Sequence, residues 1–492
     1  MKLSEILRGI DISDMRANAD MDISGVCCDS RRASPGCLFV AARGLERDGH
    51  DFIADAVKRG AVCVLCERAP DMDVPYASAP DTRAALALAA ANYFDRPADR
   101  LKIIGVTGTN GKTTTAYLIK QMLEGITGKP AGLIGSVGDM IGEKTVSSER
   151  TTPTTPEPLA LHGLFAEMAD GGCEYAVMEV SSHALALERV AGIMFEAGVF
   201  TNLTQDHLDF HGSMEEYARA KAKLFRQSRR GVVNIDDEAA AALTDGAPCE
   251  IFTYSAKDDS ADLVAKLIKL LPGKAEFCAL MIGELRRTEV RIPGLFSVYN
   301  ALAAMLTVKA LGFALADAAS ALTSCSGVRG RAETVPIPEG RDFTVVIDYA
   351  HTPDALKNII EAIRGCASGR VVTLFGCGGD RDKTKRPLMG ATAAGLSDFV
   401  IVTSDNPRTE APDAIINDIL GGMKETKTPY AAIENRREAI FWAIRSAKPG
   451  DTLILAGKGH ETYQQVGEEK RPFDEREIVA EAARALEAEA GL

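Results

Sequence analysis

The sequence predicts an α/β protein of three domains built on parallel sheets. The chain has 492 residues, about three times a common domain length. Short apolar runs recur along it, each closing in a polar or glycine-rich turn, the alternation that builds strand–helix units. One of them, Lys102-Ile103-Ile104-Gly105-Val106-Thr107, leads into Gly108-Thr109-Asn110-Gly111-Lys112-Thr113-Thr114, a glycine loop ending in Lys-Thr that opens a helix at Thr115.

Composition narrows the function. With 46% apolar and 25% charged residues the chain is an ordinary globular one. A net charge of −13 leaves no electrostatic footprint for nucleic acid, so a phosphorylated ligand must be held by local basic and backbone groups. No apolar run approaches the roughly 18 residues of a membrane span. Met1-Lys2-Leu3-Ser4-Glu5 lacks the basic-then-apolar layout of a signal peptide. Cys63 and Cys66 have metal-like spacing but stand in an apolar run with no second pair nearby, so buried thiols in a strand are expected. The expectation is a cytoplasmic chain with reduced cysteines, without a nucleic-acid, membrane or obligatory protein partner.

The first domain is expected at residues 1–98. Strands at 36–40 and 61–65 flank a helical run at 52–57, and Cys28-Asp29-Ser30-Arg31 reads as a polar turn. Arg96-Pro97-Ala98 marks its end.

The second domain is expected at 99–332. In its loop the glycines let backbone N–H groups face an anion, and the helix N-terminus adds partial positive charge. Lys112 is placed to reach outer phosphates and the Thr113 hydroxyl to sit on Mg2+. The strict P-loop pattern asks for glycine at 106, where valine stands, so the loop is a variant. Thr151 to Glu157 is a Thr-Pro loop. The strand at 175–178 ends in Glu179-Val180-Ser181-Ser182-His183, and strand ends are where open α/β sheets hold ligands. A carboxylate beside phosphates suits Mg2+. A second polar strand end gathers Asp206, His207, Asp209 and His211; without cysteine partners, Mg-ATP accounts for it better than zinc. The helix at 214–225 carries Lys221 and Lys223, which composition alone reads as solvated cations. Residues 240–290 carry few chemical signals. An Ala/Leu-rich helix with Asn300 follows, and 327–333, with Arg331, closes the domain.

The third domain is expected at 333–492. Four apolar strands end in polar turns: Asp348-Tyr349-Ala350-His351-Thr352-Pro353, Gly376-Cys377-Gly378-Gly379-Asp380-Arg381, Asp405-Asn406-Pro407-Arg408 and Gly457-Lys458-Gly459-His460-Glu461. The pattern predicts a parallel sheet whose strand ends share one cleft. The second turn lacks the G-x-G-x-x-G layout of a dinucleotide site. The helix from Asp474 reads as structural.

Taken in order, these motifs resemble those of the Mur ligases, ATP-dependent amino-acid-adding enzymes of cell-wall precursor synthesis. The loop at 107–114, the block at 202–212, Tyr217-Ala218-Arg219-Ala220-Lys221-Ala222-Lys223-Leu224-Phe225, the element ending in Asn300 (with Ser297 where Asn is commoner) and Asp348-Tyr349-Ala350-His351-Thr352-Pro353 carry the resemblance. It implies the three-domain Mur ligase architecture: an N-terminal UDP-substrate domain, a central P-loop ATP domain and a C-terminal Rossmann-like amino-acid domain. It implies ATP and Mg2+, with nucleotide contacts from Gly108, Thr109, Asn110, Gly111, Lys112, Thr113, Thr114, Asn300, Arg331 and Asp348. Thr113, Glu179, His207 and a carbamylated Lys221 become metal ligands, and Lys112, Lys221 and His207 catalytic residues. A bare ammonium repels Mg2+, whereas a carbamate adds oxygen ligands. The resemblance gives Ser30 to the UDP end of the substrate, and Thr154, Thr155, Ser181 and Arg189 to the muramoyl peptide. It gives Arg381, Asp405, Asn406, Pro407, Arg408, Gly457 and Glu461 to the added amino acid. The family's Asp-Asn-Pro-Arg form goes with meso-diaminopimelate, because arginine grips the extra carboxylate. The implied reaction adds meso-diaminopimelate to UDP-N-acetylmuramoyl-L-alanyl-D-glutamate through an acyl phosphate. An L-lysine-adding ligase and a folylpolyglutamate synthetase, whose loop is similar, are the alternatives.

Overall fold

The computed structural model describes every residue except 45–46, 147–151, 153, 272, 338–341 and 491–492. Thr151 and Pro153 of the Thr-Pro loop therefore lie outside the described residues.

The first sheet has five strands, with Tyr76–Ser78 between Asp14–Met15 and Cys63–Cys66, followed outward by Cys37–Val40 and Gly25–Cys27. Only the Asp14–Met15 pairing is antiparallel. Cys37–Val40 and Cys63–Cys66 are buried along their whole length, as strands covered on both faces must be. All eleven cysteines are free thiols. The expected helix at 52–57 begins as a 3-10 turn, Gly49–Phe52, capped by the Asp48 carboxylate, and continues as Ile53–Lys58.

The central sheet has eleven strands. Lys102–Thr107 lies in its middle, parallel to Tyr175–Glu179 on one side and Ala197–Phe200 on the other. The register pairs Glu179 with Val106 and Phe200 with Thr107, so the three polar strand ends emerge side by side. The helix after the loop begins at Lys112, ahead of the expected Thr115. Gly111, left-handed at φ 82°, turns the chain, so Lys112, Thr113 and Thr114 already belong to the first helical turn with its free N–H groups. Residues 263–290 form an antiparallel extension, Leu263–Leu271, Lys274–Met281 and Glu284–Val290.

The third sheet runs Glu333–Val335, Thr344–Asp348, Thr452–Ala456, Val371–Phe375, Phe399–Val402, Tyr430–Ala432, parallel except for its first pairing. Asp348, Ala456, Phe375 and Val402 stand in register, which brings the four polar turns to one edge. The last helix, Glu475–Ala490, is anchored by a fully buried ion pair: Arg436 Nε donates to Glu475 Oε1 at 2.8 Å. Arg436 Nη2 also donates to the Ala456 carbonyl at 2.8 Å, tying the helix start to the strand end before Gly457. One apolar cluster runs from the central domain into the third, including Val298, Ala301, Ile359 and Ile363.

Candidate active site

The phosphate loop is packed against the neighbouring strand end. Thr109 N donates to the Asn202 carbonyl at 2.8 Å, Asn110 N to Asn202 Oδ1 at 2.9 Å, and Thr201 Oγ1 to the Asn110 carbonyl at 2.6 Å. A Cβ at Gly108 (φ 145°) would run into the Thr201 hydroxyl, so only glycine allows this approach. Lys112 curls over the loop and donates to the carbonyls of Gly108 and Thr109 at 2.9 and 2.8 Å. Thr113 Oγ1 donates to Glu179 Oε2 at 3.0 Å, and the other Glu179 oxygen accepts from Ser136 N at 2.6 Å. Thr114 is buried in the same turn, and Asn300 supports it from below, accepting from Thr115 Oγ1 at 3.3 Å. Asn110 Nδ2 reaches Asp354 of the third domain at 2.8 Å. From the linker, Arg331 Nη2 donates to Thr113 Oγ1 at 2.9 Å, while its guanidinium lies 4.6 Å from the Tyr349 ring centre. Asp348 accepts from Ala332 N and Ala350 N, both at 2.7 Å, so it holds the linker. Burial raises the Asp348 pKa, against the pull of Arg331.

Behind the loop, Lys221 is 1% exposed and donates to the same Gly108 carbonyl at 2.9 Å, 4.5 Å from the Tyr217 ring centre. Burial, and then the Lys112 charge, drive its pKa far below the usual lysine range. Lys223 points elsewhere, about 200° round the helix by its period, and pairs with Glu188. His207, left-handed at φ 53°, stands with its ring 4.8 Å from that of His183 and 3.4 Å from the Asp206 carboxylate. Its side chain is 46% exposed, and partial desolvation, opposed by the Asp206 charge, lowers its pKa, which favours the neutral imidazole, the form that ligates metal. The donor set fits Mg2+: a hydroxyl and a carboxylate oxygen 3.0 Å apart beside a phosphate cradle. Among the described residues no group of three or more His, Cys, Asp or Glu side chains gathers as a metal site. Lys221 fits it only as a carbamate.

Thr155, Ser181 and Arg189 meet at the Glu179 strand end. Thr155 Oγ1 donates to the Glu179 carbonyl at 2.9 Å and accepts from Ser181 N at 3.0 Å; Arg189 Nη1 donates to the Thr155 carbonyl at 3.2 Å and pairs with Glu157 at 2.8 Å. Thr154 and Ser136 share a hydroxyl contact at 3.2 Å. Ser30 belongs to the first domain, 9% exposed, in a 3-10 turn capped by Asp29.

On the third domain, Asn406 Nδ2 donates to Glu461 Oε2 at 2.9 Å. Lys458, fully buried, donates to Asn406 Oδ1 and Glu461 Oε2, both at 3.0 Å. Lys458 is not among the residues that the sequence motifs assign to the site; its place between two glycines before His-Glu is the signal that marks it. Asp405 accepts from Asn406 N through Oδ1, and its buried Oδ2 has no partner among the described residues. That oxygen faces Gly457, where a Cβ would stand 2.7 Å from it. Arg408, at φ 51° after Pro407, donates from Nη1 to the Gly379 carbonyl at 2.6 Å. Arg381, on the turn that carries Gly379, is exposed and donates to the Asp380 carbonyl at 3.4 Å.

Three family models match the chain in order: "Mur ligase family, catalytic domain" over 22–103, "Mur ligase middle domain" over 106–308 and "Mur ligase, glutamate ligase domain" over 330–459. A protein of Caldanaerobacter subterraneus subsp. tengcongensis named UDP-N-acetylmuramoyl-L-alanyl-D-glutamate–2,6-diaminopimelate ligase is 47% identical over 484 residues, 98% of each chain. A Clostridium acetobutylicum protein of the same name is 43% identical over 488 residues, 99% of this chain and 100% of its own. A solved structure of a ligase of that name superposes with a TM-score of 0.70 at 32% identity, over 99% of each chain. The fold alone is shared with MurF of Thermotoga maritima in complex with ADP, at TM-score 0.63, 19% identity, and 96% and 99% coverage. Fold and site together define an α/β ligase that works from a nucleotide loop. The chain belongs to the Mur ligase family, and like its members it is an ATP-dependent amide ligase.

Proposed function

We propose that this ligase joins meso-2,6-diaminopimelate to the D-glutamyl end of UDP-N-acetylmuramoyl-L-alanyl-D-glutamate, at the cost of ATP. The site divides the work. Lys112 and Arg331, with the loop N–H groups, neutralise charge on the transferred phosphoryl group as it passes from ATP to the γ-carboxylate oxygen. The resulting acyl phosphate replaces a poor leaving group with a good one. The amine nitrogen then bonds to the carbonyl carbon, loses a proton, and the C–O bond to phosphate breaks, releasing phosphate and the amide beside ADP. Mg2+, at Thr113, Glu179, His207 and a carbamylated Lys221, supplies further charge neutralisation when bound. Thr154, Thr155, Ser181 and Arg189 orient the peptide, and Ser30 the UDP end.

The observation that favours diaminopimelate is the Arg408 side chain. Its Nη1 is anchored on Gly379, and its other donors have no partner among the described residues, leaving a fork for a carboxylate next to Asn406 and Glu461. Lysine has no carboxylate at that end. The names of the relatives point the same way. A cytoplasmic site of action belongs to the same proposal.

The test is phosphate release across a panel of amino acids, with the UDP-muramoyl dipeptide present or absent. Release that needs both the dipeptide and meso-diaminopimelate is expected. Release without either would make the protein a nucleotide hydrolase, and a preference for L-lysine would overturn the amino-acid assignment.

A further inference from the structure

The linker that carries Arg331 is clamped from outside the site. Glu333 accepts Arg476 Nε at 3.0 Å on one oxygen, and on the other both Arg476 Nη2 and the Gly330 backbone N–H. This is a bidentate pair, and both partners are shielded, at 17% and 28% side-chain exposure. Arg329 joins the same helix start, donating to Asp474 Oδ2 at 2.8 Å. Arg476 Nη1 also donates to the Gly459 carbonyl at 3.3 Å, in the turn that carries Gly457 and Glu461. The two segments are in backbone contact: a Cβ on Gly330 (φ 70°) would run into Gly459 and His460. Between these fixed points Arg331 extends to Thr113, and its buried Nε has no partner among the described residues.

We infer that Arg476 and Glu333 are positioning residues serving both halves of the site, the phosphate loop through Arg331 and the amino-acid turn through Gly459. The inference rests on reading Arg331 as a nucleotide contact and turn 457–461 as an amino-acid contact. A helix read from sequence as structural thus sets the geometry of two subsites with one guanidinium. An ordinary surface ion pair does not do this. The pair Arg437–Glu481, which joins the helix Arg436–Arg445 to the last helix, is half exposed and bonds no residue of either subsite, so it serves as the control.

The experiment measures KM for ATP and for meso-diaminopimelate in the full-length protein. Arg476→Met is expected to raise both, each about tenfold, since a charge-assisted bond is lost at each end. Glu333→Gln keeps the volume and is expected to show the same pattern, which guards against a folding failure in the first variant. Arg437→Ala is expected to leave both values unchanged. In an Arg331→Ala background, Arg476→Met is expected to change the ATP value by less than about twofold while still raising the diaminopimelate value, because residues acting through one another are non-additive. Multiplying effects on ATP, a rise in only one KM, or an equal effect of Arg437→Ala would overturn the inference. An Arg331→Ala variant with unchanged ATP KM would remove the nucleotide reading, and the inference with it.

Discussion

Arg331, in the linker that leads to the third domain, touches Thr113 of the phosphate loop, with Nη2 donating to Oγ1 at 2.9 Å. Thr113 passes the contact on to Glu179 at 3.0 Å. A hydroxyl assigned to Mg2+ is therefore bonded to a residue of the linker, and a bound nucleotide with its metal must compete for it. Phosphate chemistry and linker position are joined at one oxygen atom.

Lys112 is the first residue to test. In the structure its ammonium satisfies two loop carbonyls, and phosphates would draw it outward. Lys112→Ala is expected to lower kcat by about 10²–10³ or more, the scale for removing one preorganised charge donor, with the melting temperature nearly unchanged. With oxygen-18 in the substrate γ-carboxylate, the wild type is expected to deliver label to the released phosphate. Unlabelled phosphate would exclude the acyl phosphate.

Lys221 makes a different prediction. Burial and the Lys112 charge push its pKa well below the usual lysine range, which favours the neutral amine, the form that adds CO2 to give a carbamate. Lys221→Ala is expected to lose most activity and to regain part of it in formate or acetate, which return a carboxylate to the space. Lys223→Ala, which breaks contacts with Glu188 and the Leu185 carbonyl, is expected to keep activity. Full activity in Lys221→Ala would remove the residue from the site.

The strand ends are legible in the sequence because each is a local pattern, an apolar run followed by Gly, Asp, Asn or His, and parallel register brings such ends together. The antiparallel extension at 263–290 is not legible. Leu263 to Leu271 lacks strict alternation, and its register shifts between Lys266 and Lys269. Arg476 and Glu333 are equally silent: each is an ordinary charge in its own segment, and 143 residues separate them. Asp348 is legible as a strand end, but its task of holding Ala332 N appears only when the linker is seen beside it.

Stability should depend on acid through Glu410. Its hydrogen bonds with Arg386, then those from Lys383 and Asp380 N, bring its pKa from an ordinary 4.5 down to about 2. A folded-state pKa below the unfolded one stabilises the fold above pH 4.5, and that stabilisation is lost as pH falls from 4.5 towards 2. Arg386, 1% exposed, would keep Asp418 as its ionic partner among the described residues without it. Glu410→Gln is expected to melt lower than wild type at pH 7, with the gap narrowing as the pH falls through that window. A gap constant with pH would show that the carboxylate charge is not its source.

The proposed function places the choice of amino acid at Arg408. The residue sits at φ 51°, a left-handed conformation uncommon for a non-glycine residue, and Gln465 holds its backbone N–H at 3.2 Å. Backbone and Nη1 are thus both fixed, and the rest of the guanidinium is presented in one orientation. Lysine in this pocket would leave that cation without its carboxylate, and a site with an unpaired polar group rejects the analogue that causes it. Wild-type kcat/KM is expected to favour meso-diaminopimelate over L-lysine by about 10³ or more. Arg408→Ala is expected to remove most of that ratio by lowering the diaminopimelate value, with the ATP KM unchanged. Glu461→Gln is expected to act on the other end of the discrimination, since the Glu461 carboxylate suits the distal ammonium and is oriented by Asn406 and Lys458. It should weaken diaminopimelate of the meso form more than the isomer with the opposite distal centre. An Arg408→Ala variant with undiminished use of diaminopimelate would place the distal carboxylate elsewhere on the cleft.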